Sequence, residues 1–140
     1  SGGQIFFSDY AHHPTEIKAT IKALKEKFSR KKLAVVFQPH QLERLSNLFE
    51  DFVGSFNECD RLILLPTYQV AGREMSVGPK DSKDLFEAIK KQKKGSDISY
   101  EKNFSGVVKN LRQPKNSIVV FMGAGDMDQE VRNYFKSRLF

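Results

Sequence analysis

Cysteine is nearly absent. Cys59 is the single thiol among 140 residues, so no internal disulfide can brace the fold, and a reduced, cytoplasmic setting is expected. No partner motif surrounds Cys59. It lies in an apolar pattern of helical period and reads as a small, half-buried packing residue rather than a nucleophile. Long apolar runs are also lacking. They stop at five or six residues, well short of the ~20 needed to cross a bilayer, and no charged-then-apolar leader opens the chain. No Pro/Gly/Ser-rich stretch marks an internal linker, and there is neither a repeat nor a low-complexity tract. Ser1-Gly2-Gly3, with no Met, reads as a cut linker or an expression scar, which leaves residues 4–140 as one domain taken from something larger. Two catalytic signatures are missing as well: the GxxxxGK[ST] phosphate loop and the serine nucleophile elbow. An ATP-dependent activity would therefore need a second domain, and no complete catalytic set is expected in this one.

What is present suits one hydrophobic core: 16.0 kDa with 39% hydrophobic residues. The net charge is +6, from 23 basic and 17 acidic residues, and the pI is near 9.4. Such a balance raises the question of nucleic acid. However, the lysines gather in two clusters, Lys25-Glu26-Lys27 through Lys31-Lys32 and Lys90-Lys91-Gln92-Lys93-Lys94. Both stand where helices end, at the negative end of the helix dipole. No aromatic residues interleave with them to stack bases. A solvated face is expected, with neither nucleic acid nor membrane as partner.

Three continuous apolar runs, Leu33–Phe37, Leu62–Leu65 and Ile118–Phe121, read as strands covered on both faces. Gln4–Phe7 is a fourth strand and Ile98–Tyr100 a weaker fifth. Between them run helical periods: Ile17, Ile21, Leu24 and Phe28; then Leu42, Leu45, Phe49, Phe52 and Phe56; then Leu85 with Ile89, Val107 with Leu111, and Val131, Phe135 and Leu139. Pro14 suits a first helical position with Glu16 close behind. Asp126-Met127-Asp128-Gln129 has the form of a capping box. Alternating strands and helices call for an α/β, Rossmann-like, three-layer fold, a mostly parallel sheet flanked by helices.

The chemically distinctive residues all follow strands. Asp9–His13 follow the first, Gln38-Pro39-His40 the second, Pro66–Arg73 the third, and Gly123-Ala124-Gly125-Asp126 the last. In a parallel sheet these loops emerge at the carboxyl edge, where open α/β domains bind ligands. Each residue also has a plainer role. His12 and His13 could be a polar turn, and adjacent side chains in one short loop rarely complete a metal site. Gly123 and Gly125 could serve strand–helix packing as well as a phosphate, and Asp126 could be only a cap. Tyr10 could be core or could stack on a flat base beside the carboxylate of Asp9. Arg44 and Arg73 would grip a carboxylate or phosphate only if they face this edge.

Three ordered blocks carry a resemblance: Asp9-Tyr10-Ala11-His12-His13-Pro14-Thr15-Glu16-Ile17, Phe37-Gln38-Pro39-His40 and Phe121-Met122-Gly123-Ala124-Gly125-Asp126. From about residue 4 to the end the chain resembles the C-terminal domain of the Mur ligase family. It is most similar to the branch that joins L-alanine to UDP-N-acetylmuramate with ATP and magnesium. Pro66–Glu74 resembles that family's loop after the third strand. The resemblance implies a cytoplasmic peptidoglycan-synthesis enzyme whose N-terminal and central domains lie outside this chain. The central domain would carry the phosphate loop, most metal ligands and the catalytic lysine. It further implies that Asp9 contacts the ATP ribose and Tyr10 lies beside the adenine. His12 and Arg44 would stand at the amino-acid site with Gln41, and His13, His40, Gly123 and Gly125 would be edge contacts. Two positions depart from the family pattern. Ser8 replaces the first of two aspartates, and Gln41 stands where an arginine usually follows Gln-Pro-His. An amide in place of a guanidinium would weaken a carboxylate clamp by ~1–2 kcal/mol. A murein-tripeptide recycling ligase shares the first block but usually departs from Phe-Gln-Pro-His. A stand-alone nucleotide-binding module is the alternative from outside the family.

Overall fold

The computed structural model describes residues 4–67, 80–93, 97–111, 116–123 and 127–138. Its elements are β1 (Ile5–Asp9), α1 (Pro14–Lys27), β2 (Lys32–Phe37), α2 (Leu42–Asn47), α3 (Phe49–Val53) with a 3-10 turn at Gly54–Phe56, β3 (Arg61–Leu64), α4 (Ser82–Gln92), β4 (Asp97–Tyr100), α5 (Phe104–Asn110), β5 (Ser117–Met122) and α6 (Met127–Arg138). The five strands form one sheet in the order β1-β5-β2-β3-β4, and every pairing is parallel.

Chain direction decides which face each helix covers. From β1 to β4 the chain steps one way across the sheet, and right-handed crossovers put the intervening helices on one face. The step from β4 back to β5 reverses direction and throws α5 onto the other face, where α6 joins it. The core divides accordingly. Leu33, Val35 and Phe37 of β2 point with Ile118 and Val120 of β5 toward Ile17, Ile21, Leu45, Phe52 and Leu85. The alternate residues Ala34, Val36, Val119 and Phe121 point toward Val107, Met127 and Val131. Period-two alternation is therefore present, but both sets are apolar because both faces are covered, so the strands read as continuous runs.

The apolar period from Leu42 to Phe56 does not form one helix. It breaks at Leu48, which leaves the helical region at φ −114°, ψ 25°, between α2 and α3. Past the break, Phe52 of α3 and Phe56 of the 3-10 turn both pack on Phe37, at ring-centroid distances of 5.9 and 5.2 Å. Cys59 is likewise not helical. It lies in the turn before β3, and its thiol donates to the Phe56 carbonyl at 3.2 Å. The first strand runs to Asp9 rather than Phe7.

Pro14 opens α1 as expected, but the cap is His13. Its Nδ1 accepts from the Thr15 amide at 3.2 Å, while Glu16 accepts from the His13 amide at 3.1 Å, completing a capping box. Histidine here does what Ser, Thr, Asp or Asn usually does. The Asp126 of the box expected before α6 lies outside the described residues.

At the amino edge of the sheet, Asp60 ties three elements together. Its carboxylate accepts from the Leu33 amide at 2.8 Å and from Lys25 at 2.9 Å. Burial raises the Asp60 pKa, but the Leu33 hydrogen bond, the Lys25 hydrogen bond and the charges of Lys25 and Lys32 outweigh it and hold the carboxyl below the usual range.

Two outcomes follow for stability. His13→Ala should cost about 1 kcal/mol in chemical denaturation and His13→Asn should recover most of it; equal stability of all three would show that the cap contributes nothing. A carboxyl with a depressed folded pKa contributes stability above its unfolded value, about 3.9, and loses it as pH falls through the folded one. Asp60→Asn should therefore cost about 1 kcal/mol at pH 7. The gap between mutant and parent melting temperatures should close below about pH 4. A gap constant down to acid pH would exclude this linkage.

Candidate functional site at the carboxyl edge

All five strands end on one row. The register aligns Asp9 with Met122, Met122 with Phe37, Phe37 with Leu64 and Leu64 with Tyr100. The ladder continues one residue further, as the Gly123 amide donates to the Asp9 carbonyl at 3.2 Å and the Gln38 amide to the Met122 carbonyl at 3.1 Å. Because β5 enters between β1 and β2 while its connection leaves on the opposite face, the crevices on either side of it are the switch points of the sheet. The Asp9, Gly123 and Gln38 loops open from these crevices.

Gly123 has a defined reason to be glycine. Its φ is +148°, and a Cβ there would stand 2.7 Å from the Gln38 carbonyl oxygen. The Gln38 side chain in turn donates to the Pro66 carbonyl at 3.2 Å, linking the second and third edge loops. Gly125, Tyr68–Glu74 with Arg73, and Ala124 lie outside the described residues.

The first loop is held from within. Asp9 Oδ1 accepts from the Ala11 amide at 2.9 Å and Oδ2 from the Thr20 hydroxyl at 2.8 Å. With its base so fixed, the loop projects Tyr10 outward at 69% exposure, so Tyr10 is not a core residue. The His12 ring stands edge-on to Tyr10 at 5.5 Å, and its Nδ1 lies 2.9 Å from the Tyr10 carbonyl. A carbonyl can only accept, so Nδ1 carries a hydrogen and Nε2 is the acceptor of neutral His12. His13 has the opposite polarity. Its Nδ1 accepts from an amide, which places the hydrogen on Nε2. The adjacent histidines thus present unlike nitrogens. Glu16 receives both of their amides. The His12 amide chiefly, then that of His13 with the nearby rings, outweighs desolvation and lowers its pKa.

Gln41 is the N-cap residue of α2, and its side chain makes no capping bond. Arg44 follows three residues later in the first turn, half-buried. Both therefore stand where α2 starts, just past the end of β2, but no contact joins them to the Asp9 loop among the described residues. His40 is half-buried between them and Pro39. Ser8, the departure from the double-aspartate pattern, donates to Asp128 at 3.0 Å; Asp128 also takes Arg132 at 2.7 Å, and these two bonds lower its pKa. Position 8 points to α6, while Asp9 points to α1.

Sequence reasoning missed Thr20 and the tie from Gln38 to Pro66. A signal for Thr20 exists: it is a polar residue set between Ile17 and Ile21 on a face that helical phase aligns with position 13. Among the described residues no group of three His, Cys, Asp or Glu is arranged to hold a metal, and no helix is long and apolar enough to cross a membrane.

A cavity of about 230 Å³ lies at the opposite, amino edge, lined by Cys59, Asp60, Arg61, Lys93 and Asp97 over an apolar floor. Its charges are already engaged: Lys25 with Asp60, Arg61 with Asp97, and Lys93 with the Asn57 carbonyl. Burial pushes the Cys59 thiol up to about 12, so it stays protonated and non-nucleophilic.

Fold and edge define a Rossmann-like α/β domain whose polar strand-end loops gather at the carboxyl edge of one parallel sheet. The chain belongs to the Mur ligase family: the family pattern described as "Mur ligase, glutamate ligase domain" matches residues 1–125. It is 43% identical over 130 residues to the UDP-N-acetylmuramate–L-alanine ligase of Caldicellulosiruptor saccharolyticus, covering 91% of this chain and 27% of that protein. The chain thus spans about a quarter of the curated relatives it matches. Among solved structures, the Thermotoga maritima UDP-N-acetylmuramate–alanine ligase superposes with TM-score 0.72 at 22% identity, covering 96% of this chain and 27% of that one. A murein peptide ligase from Psychrobacter arcticus superposes with TM-score 0.74 at 16% identity over the same shares. These structural likenesses support the fold.

Gly123→Ala should destabilise the domain by roughly 1–3 kcal/mol, since the added Cβ meets backbone at a φ that L residues rarely adopt. Thermal melts followed by circular dichroism would measure it, and an unchanged melt would contradict the close approach to Gln38.

Proposed function

We propose that this chain is the C-terminal domain of an ATP-dependent UDP-N-acetylmuramate–L-alanine ligase of peptidoglycan synthesis, working in the cytoplasm. In that reading the domain closes over ATP and positions the incoming amino acid. The full enzyme forms an acyl phosphate on the lactyl carboxylate, which alanine then attacks. The observation that carries it is the arrangement at the sheet's carboxyl edge: an exposed Tyr10 ring beside the braced carboxylate of Asp9, with the His12 ring edge-on to Tyr10. Tyr10 offers a flat surface for adenine. Asp9 retains acceptor capacity on both oxygens for ribose hydroxyls. The bare Nε2 of His12 suits an ammonium or its departing proton, and Arg44 suits a carboxylate. His13 Nε2–H, His40, Gly123 and Gly125 are further edge contacts in this reading.

Magnesium would be held elsewhere. Among the described residues no three His, Cys, Asp or Glu are grouped to hold it; in this reading most of its ligands lie on the central domain, outside this chain. Sequence identity to the Caldicellulosiruptor ligase favours the alanine-adding reaction over the murein-tripeptide reaction, and the short coverage of that relative favours a domain over a self-sufficient module.

The test is a coupled ADP-release assay on the complete protein. Turnover should require UDP-N-acetylmuramate together with L-alanine, and a murein tripeptide should not replace alanine. ADP release supported only by the tripeptide, or independent of alanine, would overturn the reading. Gln41→Arg should lower the KM for alanine about 5- to 30-fold, the span of ~1–2 kcal/mol for restoring a charge-assisted bond. An unchanged KM would remove Gln41 from the amino-acid site.

A further inference from the structure

We infer that Thr20 is a positioning residue for nucleotide recognition: its hydroxyl sets the plane of the Asp9 carboxylate so that a vicinal diol can be taken by both oxygens at once. This rests on the assignment of Asp9 to the ribose made above.

An ionised carboxylate offers about four acceptor positions, two on each oxygen. In Asp9 one position on Oδ1 is filled by the Ala11 amide at 2.9 Å, and one on Oδ2 by the Thr20 hydroxyl at 2.8 Å. One position per oxygen remains, which matches the two adjacent hydroxyls of a ribose. Fixing the plane requires both internal donors. The Ala11 amide is only two residues away and turns with the loop, so by itself it leaves the carboxylate free to rotate with its own backbone. Thr20 is eleven residues away on α1. That helix is anchored by the fully buried Ile17 and Ile21 on either side of it. It therefore references the carboxylate to the core and not to the loop.

The threonine hydroxyl also forgoes its usual helical partner. In a helix interior Ser and Thr commonly donate to the carbonyl four residues back, but the Thr20 hydrogen goes to Asp9. The other fixed donor nearby, the capping pair of His13 and Glu16, is closed on itself and does not reach Asp9. Thr20 is therefore the link from core to carboxylate, and valine at this position keeps the shape and removes the link.

The experiment uses the complete ligase and compares ATP with 2′,3′-dideoxy-ATP, taking the ratio of kcat/KM between them as the measure of diol recognition. Asp9→Ala should bring that ratio close to one. Thr20→Val should reduce it about tenfold through KM for ATP, with kcat nearly unchanged. Thr20→Ser, which keeps the hydroxyl, should restore it. A general loss of packing in Thr20→Val would lower activity with both nucleotides alike and leave the ratio intact, so melting temperature and ratio together separate the two effects. If Asp9→Ala leaves the ratio unchanged, the ribose assignment itself is wrong. If Asp9→Ala collapses it and Thr20→Val does not, the role of Thr20 alone is overturned.

Discussion

The insertion of β5 between β1 and β2 buries six successive residues, Ser117 to Met122, and pairs the last strand in the chain with the first and the second. The carboxyl edge depends on this pairing. Without it the backbones of the Asp9 and Gln38 loops would have no common reference. With it, both loops hydrogen-bond to the same short stretch, Met122-Gly123. The absence of a side chain at Gly123 lets the second loop come within van der Waals distance. A long-range parallel pairing is costly in chain entropy. Here it is supported by apolar cover on both faces, with each buried Val, Ile or Phe contributing on the order of 1.5–3 kcal/mol.

The edge divides its polar groups into committed and uncommitted ones. His13 Nδ1, Glu16, the Ala11 amide, Ser8 and Asp128 are engaged in holding loops and helix starts. The Tyr10 ring points outward, and the Gln41 side chain makes no capping bond. The proposed closure over a ligand would use such a division: geometry fixed before contact, and contact groups left open. The loop after β3 is tied at both of its ends. Ser82 donates from its hydroxyl to the Leu65 carbonyl and from its amide to Thr67, and Ser46 holds Lys80.

The two edges of the sheet differ in charge for a reason of topology. Helices that return between parallel strands start at the carboxyl edge and end at the amino edge. Acidic first turns, with Glu16, Asp84 and Asp128, therefore gather at one edge, and basic last turns, with Lys25, Lys27, Lys90 and Lys91, at the other. The lysine clusters that make the chain basic are thus accounted for by helix ends. Lys25, Lys27, Lys90 and Lys91 lie at the edge opposite Asp9 and Gly123.

The strand–helix alternation, the parallel sheet and the membership of the three strand-end motifs in one edge were legible in the sequence, because hydrophobic period and local turn chemistry are short-range properties. So was the start of α1 at Pro14. The order of the strands was not, since nothing local states that β5 will pass between β1 and β2; that follows from covering both faces while keeping every crossover right-handed. Nor was the break at Leu48, since the apolar period runs unbroken through it while the backbone leaves the helical region. The same holds within the site. The sequence by itself determined that Asp9, Tyr10 and His12 stand together between the first strand and the first helix. Only the tertiary structure decided that Asp9 is braced by Thr20 and that Tyr10 faces solvent, because each depends on how the packed first helix sits against the end of the first strand.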